Sequence, residues 1–203
     1  MARRSAAEKA ETHEQILQRA SEIFRARGSG VGIGDVMKEL GLTHGGFYRH
    51  FASKEALLIE AVAQSLTEIA DKLEKIAEKA PPGTELAAII SAYLSTEHLR
   101  HPESWCVLAT LAPELGRLPA NVRKKLDAAM LRYMHRLARF MPGSTDADRA
   151  KAFMLLFSGM AGTIAMTRVL SDPRDREQTL AMARDHYLKS FVTEASYSME
   201  GAH

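Results

Sequence analysis

The chain of 203 residues is long enough to bury a core of its own, and its 46% hydrophobic and 26% charged residues are the balance of a soluble globular protein. A net charge of +2 is too small to argue for a polyanionic partner, so any such footprint has to be local. One cysteine, Cys106, excludes an internal disulfide framework, and the basic N-terminus MARRSAAEKAETHEQ lacks the apolar stretch of a secretory signal; both point to the cytoplasm.

Apolar residues recur at helical spacing along nearly the whole chain, and no alternating β-branched run appears. The fold class is therefore all-α, with about nine helices. Ile16, Ala20, Ile23 and Phe24 form one stripe, which predicts a first helix from about Thr12 to Arg27, stopped at Gly28. The glycine-rich link SGVGIG leads to a short helix, Asp35 to Leu40, with Val36, Met37 and Leu40 inward and Gly41 ending it. Thr43 caps another short helix over 44–51. Ser53 then starts a long helix to about residue 79, with Leu57, Leu58, Val62, Leu66, Ile69, Leu73 and Ile76 as its stripe.

PPG at 81–83 closes that helix, and Thr84 caps the next, which runs to about Arg100. Pro102, Pro113 and Pro119 punctuate one or two short helices around 103–117, and residues 120–140 form a helix stopped by MPG at 141–143. Asp146 to Leu170 and Pro173 to about Ser198 are the last two, with Asp172 capping and Pro173 in the first turn. The uncharged run AFMLLFSGMAGTIAMT, 152–167, is shorter than the roughly 20 residues that cross a bilayer and reads as a buried helix, with no membrane partner.

The segment GLTHGGFYRHFASKEAL, 41–57, concentrates unusual chemistry. Two short helices joined by Gly41-Leu42-Thr43 form a helix-turn-helix pattern, whose second helix enters a DNA major groove. Gly45 and Gly46 carry no side chain, so that helix can come close to a duplex. Each glycine costs helix stability by about 1 kcal/mol relative to alanine, a cost a purely structural hairpin has little reason to bear. Tyr48 offers a hydroxyl to phosphate and a ring to a thymine methyl; Arg49, His50 and Lys54 suit phosphates, and an arginine reads guanine bidentately. Phe47 and Phe51, four apart, fit the small domain's core. The competing reading is a solvated amphipathic hairpin in an ordinary bundle.

The same segment resembles the recognition-helix signature of the TetR family of transcriptional regulators (AcrR-like), through Gly41, Thr43, Gly45, Tyr48, His50, Phe51, Lys54, Glu55 and Leu57. ILQRASEIFRARG and DVMKELG are similar to the family as well, so the likeness covers about residues 10 to 60; SWCVLATLAPELGRLPANVRKKL, 104–126, resembles one subgroup more weakly. The resemblance implies a three-helix DNA-binding domain at 1–52 and a helical ligand-binding and dimerisation domain at 53–203. It further implies a homodimer that binds a palindromic double-stranded operator and leaves it when a small-molecule effector binds. Thr43, His44, Gly45, Tyr48, His50 and Lys54 match positions that contact DNA in related proteins, with Gly46 and Arg49 more variable. The chain departs from the pattern in a link about one residue short after Gly28, in Gly32 where Ser or Thr usually begins the second helix, in Gly34 where a polar residue is usual, and in Met37 for alanine. Arg3 and Arg4 read either as an arm for the minor groove or as a solvated tail.

The dimer interface is expected on the last two helices, from Phe153, Leu156, Met160 and Ile164 facing Leu180, Ala183, Tyr187 and Phe191, although some of these have to serve the chain's own core. An effector pocket is expected among Tyr93, Trp105, Cys106, Met130, Tyr133, Met134 and Phe157, with methionine thioethers adapting to irregular shapes. Cys106 reads either as a buried small hydrophobe or as an electrophile or redox sensor near His98, Arg100 and His101. No metal site is expected, since Pro102 breaks the His98/His101 geometry, and no cofactor either. An enzyme is not expected: no Gly-rich phosphate loop, HExxH, or nucleophile with a partnered base is present. The reading is a ligand-responsive regulator of transcription, a repressor by the family's habit. The alternatives are an electrophile-sensing repressor acting through Cys106 and a helical adaptor without DNA binding.

Overall fold

The computed structural model describes residues 6–193; the arm with Arg3 and Arg4 and the expected helix end near Ser198 lie outside the described residues. Among the described residues the chain is helical throughout, with no strand. The α-helices are α1 (Ala6–Arg27), α2 (Ile33–Glu39), α3 (His44–Phe47), α4 (Lys54–Glu78), α5 (Glu85–Tyr93), α6 (Thr96–Arg100), α7 (Leu108–Gly116), α8 (Ala120–Arg123), α9 (Asp127–Ala138), α10 (Asp146–Val169) and α11 (Pro173–Leu188). The all-α class holds, and the elements beyond nine are single turns such as α6 and α8. α1 begins earlier than its apolar stripe because AAEKAE consists of strong helix formers.

Packing divides the chain into two units. The first holds residues up to Leu66 together with Pro102–Ala128; the second holds Thr67–His101 and the chain from Ala129 onward. The end of the helix-turn-helix near residue 52 falls inside the first unit, because α2 and α3 are too short to bury a core alone. Ile16, Ala20, Ile23 and Phe24 of α1 are buried in this unit with Val36, Met37, Phe47, Phe51, Leu57, Leu58 and Val62. A buried hydroxyl pair adds a polar tie: Ser65 Oγ donates to the Ala61 carbonyl at 2.8 Å, which leaves it to accept from Ser21 Oγ at 2.7 Å. Both groups are satisfied, so their burial costs little.

In the second unit, Tyr93, Tyr133, Phe153 and Phe157 pack as an aromatic cluster, with Phe153 and Phe157 stacked at 4.5 Å and both tyrosines edge-on to Phe157. Such offset and edge contacts add to the area the rings bury. Arg136 of α9 reaches Asp71 at 2.5 Å and donates from Nε to Glu74 at 3.1 Å on α4; hydrogen bonding to Glu74 raises its pKa above the ordinary arginine range. α10 starts in a reciprocal capping box, with Asp148 N donating to Thr145 Oγ1 and Thr145 N to the Asp148 carboxylate, both at 3.1 Å. α10 is long and apolar enough to cross a membrane by length and composition, but one face packs inward through Phe153, Leu156, Phe157, Met160, Ile164 and Thr167.

Two expected helices are interrupted: 120–140 gives way to α8 and α9 with a 3-10 turn at Lys124–Leu126 between them, and 84–100 is broken outright. The reading of 84–100 as continuous gives way to α5 and α6, separated at Leu94 and Ser95. Thr84 does not cap α5 with its side chain, and its hydroxyl donates to the Pro81 carbonyl instead. The break is held by groups distant in sequence. Ser95 Oγ accepts from His98 N at 3.2 Å, and the carbonyls of Leu94 and His98 accept from Arg184 and Arg168 at 3.4 and 3.0 Å. His98 itself is fully buried, edge-on to Tyr93, and its Nδ1 donates to the Tyr93 carbonyl at 2.7 Å.

Burial pushes the His98 pKa down to about 3, with Arg168 and Lys72 adding to the shift against the opposing Tyr93 hydrogen bond. The unfolded chain takes up this proton near the ordinary 6.5, so stability present above pH 6.5 is lost as pH falls toward 3. A single group contributes roughly 1.4 kcal/mol per pH unit across that window. Urea midpoints measured between pH 7 and pH 4 are expected to fall more steeply for the wild type than for His98→Asn, which keeps a donor for Tyr93 but does not titrate. Parallel profiles would show that His98 carries none of the acid sensitivity.

Candidate nucleic-acid interface

α2 and α3 are set at a tight turn. Gly41 adopts φ +66°, a left-handed conformation suited to glycine, and Gly41 N and Leu42 N close the end of α2 on the Lys38 and Met37 carbonyls. Thr43 then caps α3, its hydroxyl accepting from Gly46 N at 3.3 Å. α2 begins at Gly32 without a side-chain cap, as its departure from the usual Ser or Thr implies. At its other end Glu39 takes two arginines of α1, Arg19 at 2.5 Å and Arg27 at 3.0 Å. The helix-turn-helix is thus seated on α1 by two ion pairs and by the burial of Val36 and Met37.

α3 is regular only over His44–Phe47, and the chain continues through turns at Tyr48, Arg49 and His50 rather than as helix to 51. Its orientation comes from Phe47 and Phe51, which are buried and stack at 5.6 Å. The His13 ring of α1 stacks on Phe51 at 4.3 Å and lies 6.2 Å from the His50 ring, while His13 Nε2 meets Glu60 of α4 at 3.2 Å. His13 and Glu60 were not singled out from the sequence, and no local pattern marks them, since they meet from helices 47 positions apart.

With the two phenylalanines inward, the other face points out. Thr43, His44, Gly45, Tyr48 and Arg49 are exposed, and Gly46, His50 and Lys54 are half-exposed. Tyr48 keeps 59% of its surface in water and meets His44 edge-on at 5.9 Å. From 41 to 54 the only formal charges are Arg49 and Lys54. A Cβ built at Gly45 would touch nothing within 4 Å, and one at Gly46 only at ordinary contact distance from Thr43 and Met37. Neither glycine has a positive φ. The fold therefore does not require either residue to be glycine.

The other expected sites fall as follows. Tyr93, Tyr133 and Phe157 share the buried aromatic cluster of the second unit; Met130 and Met134 of that unit are half-buried; Trp105 and Cys106 are buried and belong to the first unit. A shallow, mainly apolar depression of about 360 Å³ in the second unit is lined by other residues, among them Ile76, Lys79, Pro81, Ala88 and Leu188. Of the expected interface set, Phe153, Leu156, Met160, Ile164 and Leu180 are turned into the second unit's own interior, and Ala183, Tyr187 and Phe191 are half-buried. Tyr187 lies so close to Gly159 that a Cβ there has no room, so that glycine serves the α10–α11 contact within the chain. The exposed stripe of α10 is one step round: Leu155, Ser158, Gly162, Met166 and Val169, with Leu155, Met166 and Val169 at 61%, 70% and 79% exposure. Met182 of α11 is also exposed. Among the described residues no group of three or more His, Cys, Asp or Glu is placed to hold a metal.

Residues 16–61 match the family model described as bacterial regulatory proteins, tetR family. No curated protein matches the chain. Among solved structures, a TetR-family regulator of Agrobacterium tumefaciens is similar at 20% identity over 91% of this chain and 99% of its own, with TM-score 0.70. A TetR-family regulator of Pectobacterium atrosepticum is similar at 23% identity over 90% of this chain and 93% of its own, with TM-score 0.58. A regulator of Saccharomonospora viridis described in complex with choline is similar at 19% identity over 90% and 98%, with TM-score 0.65. The helix-turn-helix segment is that of the TetR family, whose members are DNA-binding regulators and not enzymes, and the chain has the fold of these regulators.

Because Gly45 stands in helical conformation with open space at its Cβ, Gly45→Ala is expected to raise folding stability by about 0.5 kcal/mol, read from chemical denaturation. A drop in stability would show that the fold itself needs this glycine.

Proposed function

We propose that the chain is a dimeric, ligand-responsive repressor of transcription that works in the cytoplasm and reads a palindromic operator. The observation that carries this reading is the division of 43–54 into an inner and an outer face: Phe47 and Phe51 anchor the turn, and the outer face is acid-free, bears Tyr48, and holds a glycine at 45 that nothing in the fold explains. A surface lacking a Cβ where the fold would tolerate one suits close approach of a duplex. Thr43, His44, Tyr48, Arg49, His50 and Lys54 then supply phosphate and base contacts.

A second copy of the chain docks through the exposed stripe Leu155, Gly162, Met166 and Val169, joined by Met182 and the half-buried Ala183, Tyr187 and Phe191. Large apolar side chains left in water at helical spacing on one face favour such a partner, and Gly162 lets the backbones approach. Two recognition helices about 34–36 Å apart then match successive half-sites. The effector occupies the second unit near its aromatic cluster, and it favours the state that does not bind DNA by binding that state more tightly. α4 runs unbroken from Lys54 to Glu78, with residues in both units, and carries the change.

Selection of duplexes from random DNA with the purified chain is expected to return a palindrome, and affinity for it is expected to fall steeply with salt. An adaptor without DNA binding would return none. Tyr48→Ala and Lys54→Ala are each expected to weaken operator binding by about 1–3 kcal/mol while leaving the dimer folded. Full affinity in both would remove these contacts. Leu155→Glu is expected to give a monomer in sedimentation, with melting little changed and operator affinity reduced; a persisting dimer would place the interface elsewhere.

A further inference from the structure

The link between α1 and α2 is held from outside the helix-turn-helix. Glu114 of α7 accepts from Ser29 N at 2.8 Å and also, at close range, from the Ser29 hydroxyl. Beside it Gly28 turns the chain at φ +83°, its N–H closing α1 on the Phe24 carbonyl at 2.9 Å, and a Cβ on Gly28 would lie 3.0 Å from Glu114 Oε1. The carboxylate is half-buried against the C-terminal end of α1, where the helix dipole disfavours negative charge. The two donors of Ser29 offset that, with Arg25 and Arg27 in the same last turn of α1, so the contact is conditional on α7 lying where it does. α2 starts after Gly32, three residues on, and has no side-chain cap of its own. Its far end is tied to α1 by Glu39, so the seat of α2 is set at one end from within the helix-turn-helix and at the other from α7. Residues 102–128 continue at both ends into chain of the second unit.

We propose that Glu114 is a positioning residue for DNA binding: through Ser29 it fixes the α1–α2 link, and through the link the seat of α2 and of the recognition turn that follows it. The inference rests on the DNA-binding reading above. It makes segment 102–128 the place where a displacement arriving from either flanking stretch is felt at the helix-turn-helix. The contact is made by one side chain, so it can be removed without touching any residue placed at the DNA.

The test uses the full chain as wild type, Glu114→Ala, Glu114→Gln, Tyr48→Ala and Val122→Ala, the last a truncation of a buried residue in the same segment. Amide exchange over residues 28–36, melting temperature, and affinity for the duplex selected by the wild type are read for each. In Glu114→Ala, exchange at Ser29 and at the start of α2 is expected to quicken about tenfold, and duplex affinity to fall about fivefold. Glu114→Gln, which keeps an acceptor in place, retains most of both. Tyr48→Ala loses affinity with exchange unchanged, and Val122→Ala lowers melting without a comparable loss of affinity. Wild-type affinity in Glu114→Ala overturns the positioning role alone, as does a loss no greater than that of Val122→Ala at equal melting. A wild type that selects no duplex overturns the DNA reading and the positioning role with it. If Glu114→Ala does not fold, Ser29→Ala, which removes only the hydroxyl bond, is expected to lose about twofold, and no loss there overturns the proposal.

Discussion

A recognition turn of four helical residues has no stability of its own, because so short a helix satisfies too few of its backbone groups to offset nucleation. What the outer face can do depends on the burial of Phe47 and Phe51. The two rings stack on each other, His13 covers Phe51 from α1, and Glu60 of α4 holds His13 in turn. Each contact fixes the turn's rotation about its own axis. Tyr48 then faces water rather than the core, since it sits one position past Phe47 and three before Phe51.

The same logic of faces operates in α10, where it decides which apolar side chains are buried and which stay in water. This helix is apolar on nearly every side, so its sequence does not say which side is inner. Packing resolves it: Phe153, Phe157 and Ile164 join the core of the second unit, and Leu155, Met166 and Val169 remain in water. Gly159 and Gly162, three apart, are separated in role by that rotation. The first admits Tyr187 of the same chain, and the second has open space above it.

Polar groups mark the places where helices stop or meet. His98, fully buried and neutral, fills the break between α5 and α6 together with Ser95, and arginines of α10 and α11 take the carbonyls there. Glu114 does comparable work at the α1–α2 link. Each is a hydrogen-bonding group placed against backbone that helix geometry leaves over, which is why interruptions in a helical chain are sites of specific long-range contact. Such contacts make a link rigid only while both partners hold their positions.

Residues 41–57 were legible without coordinates because turn, cap and anchor are all local: Gly41 needs its positive φ, Thr43 its reach to Gly46, and Phe47 and Phe51 their spacing of four. The all-α class and most helix starts were legible for the same reason, since capping and periodicity are properties of neighbours in sequence. The break at Leu94, the seating of Ser29 on Glu114, the meeting of His13 with Glu60 and the choice of inner face on α10 were decided only by tertiary structure. Each depends on a partner tens of residues away, whose arrival no local propensity records.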